Sequence, residues 1–350
     1  MVNDVAVVGG GPAGAAVAIA LGQRGVRVVL YEQASTPRLK PCGEGLLPHG
    51  VDALLALTGA LPPAPRVRGL RFVVGRASAE GDFPQHPGAV SHGLVVRRDR
   101  FDAWLLEKAA ATPNVDVRIG TRYVPGPERM VVGADGKRSM FHRRLPALPA
   151  TEQRVGLSTH IAGLTGLRDQ VEVFFHRDGE LYIAPTGGGE ALVSGLFHRA
   201  RFRRDGIEHL LQQIPELVER ARHVEFTSPV LACSPLSLQV PRIVAPGLLL
   251  IGDAAGAPDP ITGEGMALAL TTAVPAAEAI VSGRLGDYAE IRREMGRNAD
   301  RLAALLLTVS RLQGRVASLL LRRPSLVPTL LDVAINRRPL NAATLMKSVL

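Results

Sequence analysis

The sequence predicts an α/β protein in which a Rossmann-like parallel sheet shares the chain with a β-sheet-rich block and a helical C-terminal segment. Three observations predict this. Val5 to Val8 is a short, largely β-branched run ending in glycines, and an alanine-rich helical stretch and a second apolar strand, Val26 to Tyr31, follow it. A second buried strand, LLLIGDAAG, again ends in a glycine turn and leads into a long helix from about Gly265. Between these pieces, residues 154–199 carry several strands with turns at Arg177-Asp178-Gly179 and Gly187-Gly188-Gly189.

The first unit holds Gly9-x-Gly11-x-x-Gly14 between strand and helix, and Glu32 ends the second strand. That is the dinucleotide fingerprint in its required context. The glycines allow a tight turn, close backbone approach to a pyrophosphate, and close packing of helix on strand. The helix N-terminus offers unpaired N–H groups and about half a positive charge to the phosphates. Glu32 lies about 20 residues on, where its carboxylate can accept from ribose hydroxyls and repels a 2′-phosphate. The nucleotide is therefore expected to be NAD or FAD rather than NADP.

Composition narrows the class. A chain of 350 residues with 46% hydrophobic and 21% charged residues reads as soluble and globular, with room for one large or two ordinary domains. Two cysteines, Cys42 and Cys233, argue against a disulfide framework and for a reducing cytoplasm. The N-terminus opens directly into a strand, without the basic region of an export signal. No uninterrupted apolar run approaches the roughly 18 residues that span a bilayer. The net charge of +9 comes mostly from scattered arginines, with no basic block interleaved with aromatics, so nucleic acid is not an expected partner. Nine histidines occur singly, without ligand spacing, and no metal site is expected.

Along the chain, a polar segment after Glu32 leads to a helix over roughly Val51 to Leu57, and prolines break the chain at 62, 63 and 65. Residues 66–96 alternate like strands. Arg98-Asp99-x-Phe101 starts a helix running to about Ala111, with Phe101, Trp104, Leu105 and Ala109 on one face. Val115 to Ile119 and MVVG, ending at Gly133, are further strands. Residues 204–222 read as one amphipathic helix and 224–240 as strand. Pro275 should kink the helix after Gly265. The last sixty or so residues read as leucine-rich helices broken at Pro324, Pro328 and Pro339. The expected division is a discontinuous nucleotide domain (1–65, 93–145, 241–285), a substrate domain (66–92, 146–240) and a C-terminal helical segment (286–350).

Three further motifs follow in order: Gly133-Ala134-Asp135-Gly136 with Ser139, then Gly252-Asp253-Ala254-Ala255-Gly256, then Pro260-x-x-Gly263-Glu264-Gly265-Met266. With the N-terminal fingerprint, these make the chain resemble FAD-dependent oxidoreductases related to para-hydroxybenzoate hydroxylase, over nearly its whole length. Cys42-Gly43-Glu44-Gly45 and the GDAAG…P-x-x-G-E-G form resemble the geranylgeranyl-reductase-like branch. Most aromatic hydroxylases have His where Gly256 stands.

The resemblance implies an FAD-binding domain. Its nucleotide end would rest on Gly9, Gly11, Pro12, Ala13, Gly14, Glu32 and Gln33. Arg98 would reach toward the flavin cofactor's phosphates and Asp253 toward ribityl hydroxyls. Asp135 stands in the motif that bridges FAD and a transient nicotinamide site. Gly252, Gly263, Gly265 and Met266 would frame the flavin, with helix N–H groups set against the pyrimidine where negative charge develops on reduction. Cys42, Glu44, Pro260 and Glu264 are the candidate catalytic residues, the two glutamates as proton donors. Phe174, Tyr182, Pro185 and Leu196 are the candidate substrate lining, which favours a hydrophobic small molecule.

The departures from the family are local. The link from Ile119 to Val131 is short, and His142 stands where many relatives place arginine after the DG serine. With no second fingerprint, NADPH or NADH is expected to dock transiently as electron donor. The resemblance thus implies a cytoplasmic flavoenzyme: first, a monooxygenase of secondary metabolism working through a flavin C4a-hydroperoxide, and second, a reductase of isolated prenyl-type double bonds. A non-catalytic flavin-binding sensor is the alternative of another class. The leucine face bordered by Arg311, Arg315, Arg322 and Arg323 would allow peripheral membrane contact. The sequence does not set the oligomeric state.

Overall fold

The computed structural model describes residues 5–36, 38–126, 128–148, 154–311 and 326–334. From the N-terminus, β1 (Val5–Val8), α1 (Pro12–Gly22) and β2 (Val28–Glu32) form the expected β-α-β unit. Then come β3 (Gly45–Leu46), α2 (Pro48–Thr58), β4 (Arg66–Val67), β5 (Gly69–Val74), β6 (Ala77–Asp82) and β7 (Gly93–Val95). After α3 (Arg98–Ala110) lie β8 (Val115–Ile119) and β9 (Met130–Gly133). Four long strands follow, β10 (Arg154–Ala162), β11 (Val171–His176), β12 (Gly179–Gly187) and β13 (Glu190–His198). Next are α4 (Gly206–Gln213), α5 (Pro215–Arg220), β14 (Glu225–Phe226), β15 (Leu231–Cys233), β16 (Val244–Ala245) and β17 (Leu248–Leu250). The chain continues through α6 (Gly265–Thr271), α7 (Ala273–Ser282) and α8 (Leu285–Arg311), and α9 is Leu326–Ala334.

Six strands form one sheet in the order β16-β17-β9-β1-β2-β8, parallel except for β16. The carboxyl ends of β1, β2, β9 and β17 therefore share one edge. Helix α1 packs on α3, α6 and α7, and Ala15 to Leu21 are all buried. Its alanines suit a helix enclosed on every side, where a larger residue would force the neighbours apart. Fully buried Leu21 and Leu30 each contribute about 1.5–3 kcal/mol of transfer free energy.

The second sheet runs β14-β10-β13-β12-β11-β5-β6, with β15 also on β10. Segment 69–82 joins it through a parallel pairing of β5 with β11. Helices α4 and α5 cover one face and close a core containing Phe174, Leu181, Ile183, Phe197, Ile207, Leu210 and Leu217. A small third sheet, β3-β7-β4, stands beside them.

Several boundaries differ from the sequence reading. The helix expected from Val51 starts at Pro48, which is tolerated where a first-turn N–H is not needed. Residues 204–222 form two helices. Pro215 forces Ile214 out of helical geometry, with ψ at 114°, and then opens α5. Only β14 and β15 form in 224–240. The helix from Gly265 breaks at Thr272, the residue before Ala273 and three before Pro275, whose ring cannot follow an unbroken turn. Pro328 does not break the C-terminal helix, because it sits in the first turn of α9. Pro324, Pro339, Arg315, Arg322 and Arg323 lie outside the described residues, as does the Arg311 side chain.

One stretch comes near the length of a membrane span. Gly265–Ser282 spans 18 residues and is long and apolar enough to cross a membrane, counted by length and mean hydropathy. Thr271, Thr272, Pro275 and Glu278 interrupt it as an unbroken apolar run. Of this stretch 56% is buried in the protein, against α1 and α2.

Candidate flavin site

The site begins where β1 ends. Gly9 has φ +109, and a Cβ there would stand 2.5 Å from the Ala134 carbonyl oxygen. A Cβ on Gly14 would lie 1.8 Å from the Gly9 carbonyl oxygen. Backbone meets backbone at both points, so side chains are excluded. Helix α1 starts at Pro12 with Gly11 as its N-cap, and no side chain caps it. The first-turn amides of Ala13 and Gly14 are left for an anion. Lys40 brings its ammonium over this end, 3.9 Å from where a Gly11 Cβ would be.

Glu32 closes the other side of the turn. Its Oε2 accepts from the Gly10 amide at 2.8 Å and its Oε1 from the Ala34 amide at 2.8 Å. A recess lined by Gly10, Glu32, Ala34, Lys40, Asp102 and Leu106 opens beside it. Gln33 is next to it and exposed.

Arg98 opens α3. Its guanidinium pairs with Asp102 and its backbone amide donates to Glu44 Oε1 at 2.9 Å. Burial works to lower the Arg98 pKa, but Asp102 outweighs it and keeps the group charged. Cys42 lies beside it, half-buried. Its amide donates to Ser158 Oγ at 3.4 Å, and the Glu44 amide donates to its Sγ at 3.3 Å. Burial pushes the Cys42 thiol up, against the opposing pull of Arg98. Glu44 is 1% exposed at φ +54, an unusual conformation for a non-glycine residue. Its Oε2 lies 2.9 Å from His160 Nε2.

The later motifs arrive at the same edge. Asp135 follows β9, and its Oδ2 accepts from the Met140 amide at 2.8 Å, while Oδ1 is buried without a partner among the described residues. Gly252 has φ +56, and a Cβ there would stand 2.6 Å from Ala13 Cβ, so the GDAAG turn touches the fingerprint turn directly. Asp253 follows it, half-buried. Pro260 starts a short 3₁₀ turn capped by Asp259, whose side chain accepts from the Ile261 amide. Arg154 donates to Asp259 at 2.6 Å and also pairs with Glu180, tying this loop to β10 and β12. Gly263, with φ +71, and Gly265 are exposed, and added Cβ atoms would meet nothing within 4 Å. Met266 is buried in the nucleotide-sheet core. Glu264 between them is 1% exposed, with both carboxylate oxygens unpartnered among the described residues. Burial, with Asp300 nearby, raises its pKa to about 8.

The substrate-lining expectation splits by strand parity. Tyr182 and Leu196 share a cluster with Leu236 and Ile261 beside the Pro260 loop. Pro185 lies farther along β12, at a bulge before Gly187. Phe174 is a correction. It is wholly buried under α4 and α5, on the opposite face of the sheet, with Ile183. Both faces of these strands are buried, so apolar character alone does not tell them apart.

Lys40, Asp102, Ser158, His160 and Ser228 were not singled out from the sequence. Apart from Asp102, which pairs with Arg98 one turn away, their partners lie far off in the chain, His160 being 116 residues from Glu44. The sequence signals for them are the nearness of Lys40 to the Cys42 motif and the four-residue spacing of Arg98 and Asp102 on one helix.

An extended dinucleotide fits this ground. Uncapped helix amides and Lys40 suit a pyrophosphate, Glu32 a ribose, and the open space over Gly263 and Gly265 a flat ring. When bound, FAD would be held by Gly9 to Gly14, Glu32, Lys40, the Gly252-Asp253 turn and the N-terminus of α6.

Residues 3–128 match the FAD binding domain family. The chain is 29% identical to the menaquinone reductase of Mycobacterium tuberculosis, over 93% of this chain and 88% of that protein. It is 29% identical to digeranylgeranylglycerophospholipid reductase 2 of Methanopyrus kandleri, over 75% and 73%. It is 28% identical to the 6-methylpretetramide 4-monooxygenase of Streptomyces rimosus, over 80% and 76%. In fold it is similar to a geranylgeranyl bacteriochlorophyll reductase-like protein from Thermoplasma acidophilum, with TM-score 0.76, 21% identity and coverage of 99% and 96%. The flavin-dependent brominase Bmp2 is similar too, with TM-score 0.79, 19% identity and coverage of 96% and 94%. An FAD binding domain thus matches residues 3–128, and the proteins to which the chain is similar over most of its length include digeranylgeranylglycerophospholipid reductases.

Proposed function

We propose that this flavoprotein reduces an isolated carbon–carbon double bond in a polyprenyl chain, although the sequence alone ranks oxygenation first. Reduced FAD, when bound, supplies an electron pair and one hydrogen to one carbon of such a bond. The second carbon needs a proton, which the protein must hold. The observation that carries the reading is the seat of Cys42. Its thiol is kept protonated by burial, beside Arg98 and against Ser158 of the second sheet. A thiol there donates the proton, and the Glu44 amide and Arg98 stabilise the thiolate that remains. Glu264, protonated at neutral pH, is a second acid at the flavin edge. Tyr182, Leu196 and Ile261 offer an apolar floor for a prenyl unit. Relatives named as reductases of menaquinone and of digeranylgeranylglycerophospholipid, both lipids with polyprenyl chains, support the reading.

Oxygenation of a hydrophobic small molecule is the second reading, favoured by the similarity to 6-methylpretetramide 4-monooxygenase. Gly256 weighs against an aromatic hydroxylase. Its φ is +108 and a Cβ would lie 3.1 Å from the Leu238 carbonyl oxygen, so the histidine of those enzymes would be strained. NADPH or NADH docking transiently is the proposed electron source in both readings. A polyprenyl substrate lives in a bilayer, so the first reading also brings a cytoplasmic protein to the membrane surface.

The test is turnover of FAD-loaded protein with NADPH or NADH, or dithionite under argon, on menaquinone and on a geranylgeranyl lipid. Product whose prenyl chain is two hydrogens heavier, scored after any quinone ring is reoxidised and formed without oxygen, is expected. Incorporation of ¹⁸O from ¹⁸O₂, with no anaerobic product, would overturn the reading.

A further inference from the structure

We propose that His160 is a positioning residue for Cys42: acting through Glu44, it holds the 42–45 loop with the Glu44 amide and Arg98 turned to the cysteine sulfur. The contact joins the two large parts of the fold. His160 stands on β10 of the second sheet, and Glu44 precedes β3 on the connection from the nucleotide sheet. Both are buried, at 3% and 1% exposure, and His160 Nε2 lies 2.9 Å from Glu44 Oε2. The ring is fixed from its other side. His160 Nδ1 lies 3.0 Å from Ser228 Oγ, which also accepts from the His160 amide at 2.9 Å. Ser228 in turn is tied by its carbonyl, which accepts from Thr159 Oγ1 at 2.7 Å.

Glu44 is the residue that needs holding. At φ +54 it occupies the left-handed region that side chains disfavour. Three contacts over-determine it: His160 on Oε2, the Arg98 amide on Oε1, and the Val96 amide on its carbonyl. Through that geometry its own amide reaches Cys42 Sγ at 3.3 Å. The charged groups facing Cys42 are few. Arg98 comes from α3, neutralised in part by Asp102, which also binds Lys40, and Glu44 comes from the same loop. From the second sheet, β10 presents Ser158 to Cys42, and Ser194 of β13 lies beside Gly43, with His160 behind Glu44. Losing His160 frees the Glu44 carboxylate of its partner and its amide of its aim. Both changes disfavour a thiolate at Cys42.

The inference deepens the reading of Cys42 as proton donor, but its test needs no turnover. Alkylation of Cys42 by iodoacetamide is followed from pH 6 to 10 in full-length, FAD-loaded Cys233→Ser protein, with Cys42→Ala as the blank. His160→Leu is expected to move the midpoint upward and slow alkylation at pH 8 by about threefold or more. His160→Gln keeps an N–H toward Glu44 and should stay within about 1.5-fold of the parent. An unchanged midpoint in folded His160→Leu, or equal effects of Leu and Gln, would overturn the proposal. A faster reaction with an unshifted midpoint, the mark of a merely loosened loop, would overturn it too. If His160→Leu does not fold, Ser228→Ala serves. It removes the Nδ1 partner and should shift the midpoint in the same direction, and no shift there counts against the role. A shifted midpoint in a protein that oxygenates its substrate would leave this inference standing and remove the reductase reading.

Discussion

Arg98 and Asp102 stand one turn apart on α3 and meet twice, Nε on Oδ1 at 2.8 Å and Nη2 on Oδ2 at 2.9 Å. Lys40 Nζ reaches the same Oδ2 at 2.8 Å. One buried carboxylate therefore holds two cations from different parts of the site. Burial works to raise the Asp102 pKa, but Arg98 and Lys40 outweigh it and hold the carboxyl below its usual range. Asp102→Asn leaves a buried guanidinium without its counter-charge, which costs about 3–5 kcal/mol. Because the folded pKa is depressed, this stabilisation is present above the unfolded carboxyl value and is lost only as pH falls through the folded one. Urea melts of parent and variant should thus differ by a constant amount from pH 5 to pH 8. A gap that closes toward neutrality would contradict the pairing.

The glycines of the two turns should answer differently to the same change. Gly14→Ala places a methyl 1.8 Å from the Gly9 carbonyl oxygen, a backbone atom that cannot yield cheaply. It should destabilise the protein by about 3 kcal/mol or more and abolish FAD retention. Gly265→Ala meets nothing within 4 Å and lies at the start of α6. The apoprotein should be unchanged or more stable by about 0.4–1 kcal/mol. If the flavin ring lies over this helix start, the same methyl should weaken FAD binding about tenfold or more, worth about 1.4 kcal/mol. Thermal melts of apoprotein and quenching of flavin fluorescence on binding separate the two effects.

What the sequence made legible was local. The β-α-β turn, Glu32 and the GDAAG turn are each set by residues close in the chain, and glycine spacing reports backbone crowding directly. The contacts that tie sheets together were not legible. Arg154 with Asp259 and Glu44 with His160 join residues more than 100 apart, brought together only by topology. Phe174 failed for another reason. Helices α4 and α5 bury the outer face of its strand, so Val173 and Phe174 are both buried and alternation disappears. The break at Thr272 shows the opposite case: Pro275 announced a disturbance, and its place followed from where the missing N–H and the ring act.

Glu264 offers a pH signature. Burial, then Asp300, raises its folded pKa to about 8 from an ordinary value of 4.5. A carboxyl with a raised folded pKa stabilises the fold fully below the unfolded value and loses that contribution as pH climbs through the folded one. Between about pH 4.5 and 8 the native state holds a proton that the unfolded chain releases, so stability falls with rising pH. Glu264→Gln cannot ionise and escapes the loss. Thermal melts of apoprotein should show the variant gaining on the parent from pH 5.5 to pH 8.5, by about 2–4 kcal/mol at the upper end. Parallel curves would mean that Glu264 is solvated and ionised throughout.

Tyr182 separates a role in folding from a role in binding. Its hydroxyl is buried without a hydrogen-bond partner among the described residues, and its ring packs in the cluster with Leu196, Leu236 and Ile261. Burial lifts the phenol well above its ordinary pKa, with Glu180 adding to the rise, so it remains a neutral donor at every working pH. An unsatisfied buried hydroxyl contributes nothing to the fold. Tyr182→Phe should leave Tm unchanged or raise stability by up to about 1 kcal/mol. A substrate that presents a polar atom beside its apolar chain would take that donor, and losing the bond costs about 1–1.5 kcal/mol. KM should then rise about tenfold with kcat nearly unchanged, the pattern of lost uniform binding. A fall in Tm would mean that the hydroxyl is bonded within the protein, and an unchanged KM would remove Tyr182 from the lining.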